Sequence, residues 1–145
     1  MSTGKELLLK SNIFTGCTAR PKNELIKEIG GVLVKSGYVN DNYVDAMFER
    51  ELSFSTYLGN GIAMPHGVDS AKKEIRESGL TVMVFPEGTD WDGNKVHIVI
   101  GLAGRENEHL KILGNLANTL IDEESVRKMI DMNVDEIYKV ITNKE

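Results

Sequence analysis

Leu80-Thr81-Val82-Met83-Val84-Phe85 and Val96-His97-Ile98-Val99-Ile100-Gly101-Leu102 are the two stretches that decide the fold of this chain. Each is nearly continuous in apolar side chains and rich in strand-compatible, β-branched ones. A strand with one wet face alternates apolar and polar residues, whereas a strand covered on both faces need not. The two runs therefore read as the centre of a sheet with helices packed against it. Pro86-Glu87-Gly88 reads as a turn between them, and the stretch 89–95, with Trp91, is open between a loop and an irregular hairpin strand.

Outward from that centre, Leu25, Ile26, Ile29, Val32 and Leu33 recur at helical spacing within 22–36, and Gly37 supplies a stop. A second helix is expected from an Asp41 or Asn42 cap, with Val44, Met47 and Phe48 on one face and Arg50 near its C-terminal end. Between 53 and 67 the pattern shortens to extended pieces: Thr56-Tyr57-Leu58, a turn at Gly59-Asn60-Gly61, and Ile62-Ala63-Met64 ending at Pro65. A further short extended piece lies at Ile13-Phe14. On the other side, Leu110, Leu113, Leu116, Ala117 and Leu120 predict a helix opened by Asn107, which puts His109 in its first turn. Two shorter helices follow, one capped by Asp122, the other opened by Asn133-Val134-Asp135-Glu136 in the pattern of a capping box. Strands interleaved with helices on this length imply an α/β fold: one domain over 1–145, a sandwich in which helices cover the faces of a small mixed sheet.

The chain has 145 residues, 41% hydrophobic and 27% charged, enough to close a core of its own. Its net charge of -5 argues against binding nucleic acid, which needs a basic face. A single cysteine, Cys17, cannot form an internal disulfide, so a reducing compartment suits the fold. No apolar run approaches the roughly 20 residues that span a bilayer. Met1-Ser2-Thr3-Gly4-Lys5-Glu6 lacks the basic, apolar and small-residue series of an export signal. The expected location is the cytoplasm, without membrane insertion. No glycine-rich loop ending in Lys-Ser/Thr is present, so ATP binding is not expected. Neither is a metal or other cofactor, since no two of the three histidines have the close spacing of zinc ligands.

Those histidines can be weighed singly. His97 lies inside a strand run and reads as a packed or edge residue, and no chemical role is assigned to it. His66 sits in Gly61-Ile62-Ala63-Met64-Pro65-His66-Gly67, where Pro65 fixes φ and Gly67 permits close approach to the main chain. Taken alone, it reads as a half-buried turn residue. Taken alone, His109 reads as an exposed residue at a helix start, and Arg50 as a surface ion pair with Glu49 or Glu51.

The wider pattern reverses those readings. Tyr57-Leu58-Gly59-Asn60-Gly61-Ile62-Ala63-Met64-Pro65-His66-Gly67 resembles the phosphorylation-site signature of mannitol- and fructose-type enzyme IIA domains of the bacterial sugar phosphotransferase system. Glu49-Arg50-Glu51, Phe85-Pro86-Glu87-Gly88 and the stretch from Gly101 to Leu110 join it in family order, so the resemblance spans nearly the whole chain. The Asn107-Glu108-His109 element and the Tyr57-Leu58-Gly59 lead-in look more like the mannitol class. The resemblance implies a phosphotransferase that works through a phosphohistidine. In that reading His66 is the acceptor through Nε2 (the tele nitrogen), with Nδ1–H held by an acceptor that fixes the tautomer. His109 and Arg50 stabilise the phosphoryl group. The implied partners are the phosphocarrier HPr as donor and a cysteine of the cognate enzyme IIB, of an IIB/IIC permease, as recipient. Rival readings are a fructose-class IIA, a regulatory relative of the nitrogen-type IIA, and a non-catalytic interaction domain of the same fold. Retention of His66, Arg50 and His109 together weighs against the last. Ile62, Met64 and Val68, which flank the acceptor, are candidates for partner contact, with core packing as their competing role.

Overall fold

The structure, a computed structural model, describes residues 6–105, 108–120 and 122–142, apart from the side chains of 109 and 110. The expected cap Asn107 and the side chain of the periodic residue Leu110 therefore fall outside what is described. The two apolar runs are paired. They lie in β4 (Gly79–Trp91) and β5 (Asn94–Ala103), antiparallel from Gly79↔Ala103 to Trp91↔Asn94. β1 (Ile13–Phe14) adds in parallel to β4, and β3 (Ile62–Ala63) in parallel to β5. β2 (Tyr57–Gly59) returns antiparallel on β3 through Asn60 and Gly61, both at positive φ, as a tight hairpin turn of this handedness requires. The mixed sheet has the order β1-β4-β5-β3-β2.

One expectation fails at the middle of β4. Pro86-Glu87-Gly88 is not the turn between the strands; it is a bulge within one of them. The register passes from Val84↔Ile98 to Thr89↔Val96, so four residues of β4 stand against His97 alone. The His97 imidazole meets the Phe85 carbonyl there (Nδ1 to O, 3.0 Å), and the backbone N–H of His97 donates to Gly61 O (2.8 Å). The actual turn is Asp92-Gly93, with φ of 55° and 89°. The stretch 89–95, open on the sequence pattern, is thus the far end of the hairpin.

Alternation along the strands sorts side chains to two cores. Met83, Phe85, Val99 and Ala103 face α1 (Lys22–Lys35) and α2 (Asn42–Ser53), joining Leu25, Ile26, Ile29, Leu33 and Met47. Leu80, Val82, Val84, Ile98, Ile100 and Leu102 face α3 (Glu108–Thr119), α4 (Glu123–Ile130) and α5 (Val134–Thr142), joining Ile112, Leu116, Val126, Met129 and Ile137. The sheet centre is dry on both sides, as its apolar runs require. The expected caps hold at the C-terminal end. Asp122 accepts from Ser125 N–H, and Asn133 and Glu136 exchange bonds of 2.8 and 3.0 Å as a capping box. Asp41 differs: its backbone is already helical and its side chain makes no cap bond.

Helix α1 lies close on the sheet because Gly101 has no side chain. A Cβ there would stand 2.0 Å from Ile29 Cγ2. Gly101→Ala should therefore cost about 1–3 kcal/mol by overpacking. In urea unfolding, Gly101→Ala combined with Ile29→Ala should be less destabilised than the sum of the two single variants.

Candidate active site

His66 lies where β3 ends. Beyond Ala63 and Pro65 the chain still touches β5, because Leu102 N–H donates to Pro65 O (2.9 Å) and His66 pairs with Leu102 in a parallel bridge. The imidazole is half-buried, and its Nδ1 lies 3.1 Å from the Gly67 carbonyl oxygen. A carbonyl can only accept, so this bond requires the proton on Nδ1 and leaves the in-plane lone pair on Nε2. Burial holds the His66 pKa below its ordinary 6.5. The Gly67 carbonyl opposes that shift, the Arg50 charge adds to it, and Asp69 and Glu51 oppose it in smaller measure. The ring is consequently neutral at neutral pH, as a nucleophile must be.

Arg50 reaches the same place from the last turn of α2. It forms neither of the ion pairs considered for it; among the described residues Nη1 donates to Phe54 O (2.8 Å), and the guanidinium lies over the Phe54 ring, 5.8 Å from its centroid. Its charge is felt at His66. A planar, permanently charged group with further N–H donors beside a neutral imidazole suits an incoming phosphoryl group.

Glu51, next along α2, has the opposite character. It is only 8% exposed, and it accepts from Thr56 N–H (3.1 Å), from the Thr56 hydroxyl and from Lys22 Nζ (3.2 Å). Lys22, from the start of α1, also reaches both oxygens of Asp92 at the β4–β5 turn (2.8 and 2.9 Å). Thr56 O in turn accepts from Met64 N–H (3.0 Å). One buried carboxylate thus joins α1, α2, the hairpin tip and the strand leading to His66. It survives burial because three donors satisfy it. The motif element Glu49-Arg50-Glu51 contains Glu51 without indicating this bracing role; the signal that could find it is the periodicity Tyr43, Met47, Glu51 at steps of four, which puts it on the buried face.

The helix carrying His109 begins beside the same sheet end. Lys72 Nζ donates to Gly104 O (3.3 Å), Arg105 N–H to Ser78 Oγ (2.9 Å) and Arg105 Nη1 to Arg76 O (3.1 Å), while the Ser78 hydroxyl bonds Glu108. The His109 backbone lies in the first turn of α3, and its side chain lies outside the described residues. His97 is remote in role: it closes the bulge.

The partner-contact candidates largely turn inward. Ile62 and Met64 are 4% and 3% exposed in the core under α3 to α5, and Val68 is half-buried against the core under α1 and α2. The exposed apolar groups near the site are instead Leu52 and Phe54, directly after Arg50, and Leu58 on β2. Gly67, expected to make room for an incoming group, makes room for a neighbour: a Cβ there would stand 2.7 Å from the Tyr43 ring.

Comparison with known proteins bears on the chain as a whole. The family model described as phosphoenolpyruvate-dependent sugar phosphotransferase system, EIIA 2, matches residues 6–144. The mannitol-specific phosphotransferase enzyme IIA component of Halalkalibacterium halodurans is 48% identical over 126 residues, 87% of each chain. Among solved structures, IIAMTL of Escherichia coli, determined in complex with phosphorylated enzyme IIBMTL, superposes with a TM-score of 0.84 at 38% identity. That match covers 92% of this chain and 95% of the other. The nitrogen regulatory protein IIA-Ntr of Neisseria meningitidis shares the fold, with a TM-score of 0.78 at 24% identity over 93% of this chain and 96% of its own. The strand end that presents a neutral imidazole beside an arginine, in a chain matched along almost its entire length, makes this protein a member of the EIIA 2 family of the phosphoenolpyruvate-dependent sugar phosphotransferase system.

Proposed function

We propose that this chain is the phosphocarrier of a mannitol phosphotransferase system, a single cytoplasmic domain that takes a phosphoryl group onto His66 Nε2. The donor is the phosphohistidine of HPr, and the recipient is a cysteine of the cognate enzyme IIB, which works with the IIC permease in uptake of mannitol. The observation that carries the reading is the bond from His66 Nδ1 to the Gly67 carbonyl, since it commits the lone pair to Nε2. No described helix is long and apolar enough to cross a membrane, in keeping with a freely diffusing carrier. The mannitol-system relatives support the choice of sugar.

The chemistry asks little covalent work of the protein. The N–P bond of phospho-HPr breaks as a bond forms between phosphorus and His66 Nε2, through a loose transition state with charge on the equatorial oxygens. The same exchange then runs from Nε2 to the sulfur of IIB. Catalysis is alignment and charge stabilisation. Arg50 has two tasks: before transfer it disfavours the imidazolium, and afterwards it faces the dianionic phosphoryl group. His109, in the first turn of α3, has the positive end of the helix dipole beside it, and its ring serves as a further donor. Leu52, Phe54 and Leu58 form the apolar surround against which HPr and IIB dock and exclude water.

Three measurements test this reading. Incubated with phosphoenolpyruvate, enzyme I and HPr, the native chain should gain one phosphoryl mass that acid removes and base spares. His66→Gln should gain none, and Arg50→Ala should gain it about 10²–10³ slower. An acid-stable adduct would indicate a hydroxyl acceptor. In the same assay, Leu52→Ser combined with Leu58→Ser should raise the KM for phospho-HPr with the unfolding midpoint nearly unchanged, because these side chains are 88% and 58% exposed. The third concerns pH. The folded chain binds fewer protons at His66 than the unfolded chain, so the stability linked to this residue is complete above the unfolded value of 6.5 and is lost as pH falls from there through the folded value. Between about pH 7.5 and about pH 5.5 the native chain should lose stability relative to His66→Gln in urea unfolding. A constant difference would mean that His66 titrates as an exposed residue.

A further inference from the structure

Where β3 stops, β5 still has polar groups to satisfy. Leu102 N–H is taken by Pro65 O, but Leu102 C=O accepts from the Tyr43 hydroxyl (2.9 Å), and that hydroxyl accepts from Gly67 N–H (2.9 Å). The rung between Gly67 and Leu102 therefore runs through a phenol carried by α2. Three residues further along α2, Ala46 O accepts from Val68 N–H (3.3 Å). Helix α2 thus holds both peptide units flanking Gly67.

Peptide geometry gives this a consequence at His66. In a trans peptide the N–H and the C=O point in opposite directions. With Val68 N–H drawn toward α2, the Gly67 C=O of the same unit points away from α2, and its oxygen meets His66 Nδ1 at 3.1 Å. The Tyr43 hydroxyl fixes the preceding unit, whose other end is His66 itself. We propose that Tyr43 is a positioning residue of the transfer site: it locks the main chain around Gly67 so that the Gly67 carbonyl holds the proton of His66 on Nδ1 and the lone pair stays on Nε2. The inference rests on the reading of His66 as the phosphoryl acceptor and adds the cause of its tautomer.

Three features support the assignment. The linking group must donate to a carbonyl and accept from an N–H at once, which a hydroxyl does and an aliphatic or phenyl group does not. Tyr43 is 2% exposed, and burial pushes its pKa up to about 12 against the opposing Gly67 N–H, so the proton it donates to Leu102 is always present. Gly67 and Tyr43 are also sterically matched, since any Cβ at 67 would enter the Tyr43 ring.

The test is Tyr43→Phe, which keeps the ring and deletes the hydroxyl. Ring-nitrogen shifts of ¹⁵N-labelled, unphosphorylated protein report the tautomer where His66 is neutral. In the native chain Nδ1 should be protonated and Nε2 should not. In Tyr43→Phe the population should move toward the Nε2–H form, and single-turnover uptake from phospho-HPr should slow by roughly 10- to 100-fold, as small misalignments do. A native tautomer with a native rate in a folded Tyr43→Phe would overturn the proposal and leave Tyr43 as packing alone. If the variant does not fold, hydrogen exchange at the Gly67 amide of the native chain decides: slow exchange supports the buried hydroxyl bond, and exchange at the rate of an open loop overturns it. A native chain that takes no phosphoryl group would overturn the transfer reading instead, while the tautomer comparison would still decide the part played by Tyr43.

Discussion

From Ile98 to Ala103, strand β5 has neither a wet face nor an edge. Its side chains enter the two cores, and its main chain lies between β4 and β3, so each polar group along it must find a partner sideways. On the β4 side the antiparallel ladder supplies partners, with the His97 imidazole meeting a carbonyl where the bulge interrupts it. On the other side β3 is only two residues long. The segment after β3 has to continue its work without being a strand, and the site grows out of that requirement. Pro65 supplies a carbonyl, His66 keeps the register, and a hydroxyl from α2 completes the next rung. The residue read as the phosphoryl acceptor is thus part of the frame that closes the sheet, which explains how a residue outside regular secondary structure is held so firmly.

The electrostatics of the site follow from the same arrangement. Half-burial and a neighbouring arginine both disfavour charge on the imidazole, and a main-chain carbonyl opposes them, with Asp69 and Glu51 adding to it in smaller measure. No acidic side chain is needed to orient the ring, as an aspartate does in hydrolases that must generate an alkoxide. A carboxylate in that place would stabilise the imidazolium and repel the phosphoryl group. Of the two acids whose charge reaches the ring, Glu51 is spent on Lys22 and Thr56, where it braces α2.

The sheet centre, α1 and the capped C-terminal helices are legible in the sequence because each depends on short-range pattern: apolar runs, helical spacing, Asp122, and the Asn133 and Glu136 pair. The family motif likewise singles out His66 and Arg50, and both lie at one sheet end. The features that short-range pattern misses depend on long-range contact. Pro86 and Gly88 carry the composition of a turn, yet the chain bulges and continues, because Thr89 and Trp91 regain their pairing with Val96 and Asn94. The Asp92-Gly93 pair is itself a strong short-range turn signal, and it is the one the chain obeys. Met64 flanks His66 and so reads as a contact residue, but alternation along the strand sends it under α3 to α5. Tyr43 lies outside the motif and Glu51 inside it without a role of its own, because what they do is set by partners in other elements, Leu102, Gly67, Lys22 and Thr56.

The two outermost strands, β1 and β2, are two and three residues long. The outer side of β4 is further covered by the segments flanking β1, with Leu7 O accepting from Leu80 N–H and Cys17 N–H donating to Val84 O. A sheet exposes a template for cross-chain pairing in proportion to the length of its unpaired border. Here the apolar runs of β4 and β5 are interior, and the strands that border them are short. A carrier that must collide freely with successive partners thereby offers its own copies little strand length for pairing edge to edge.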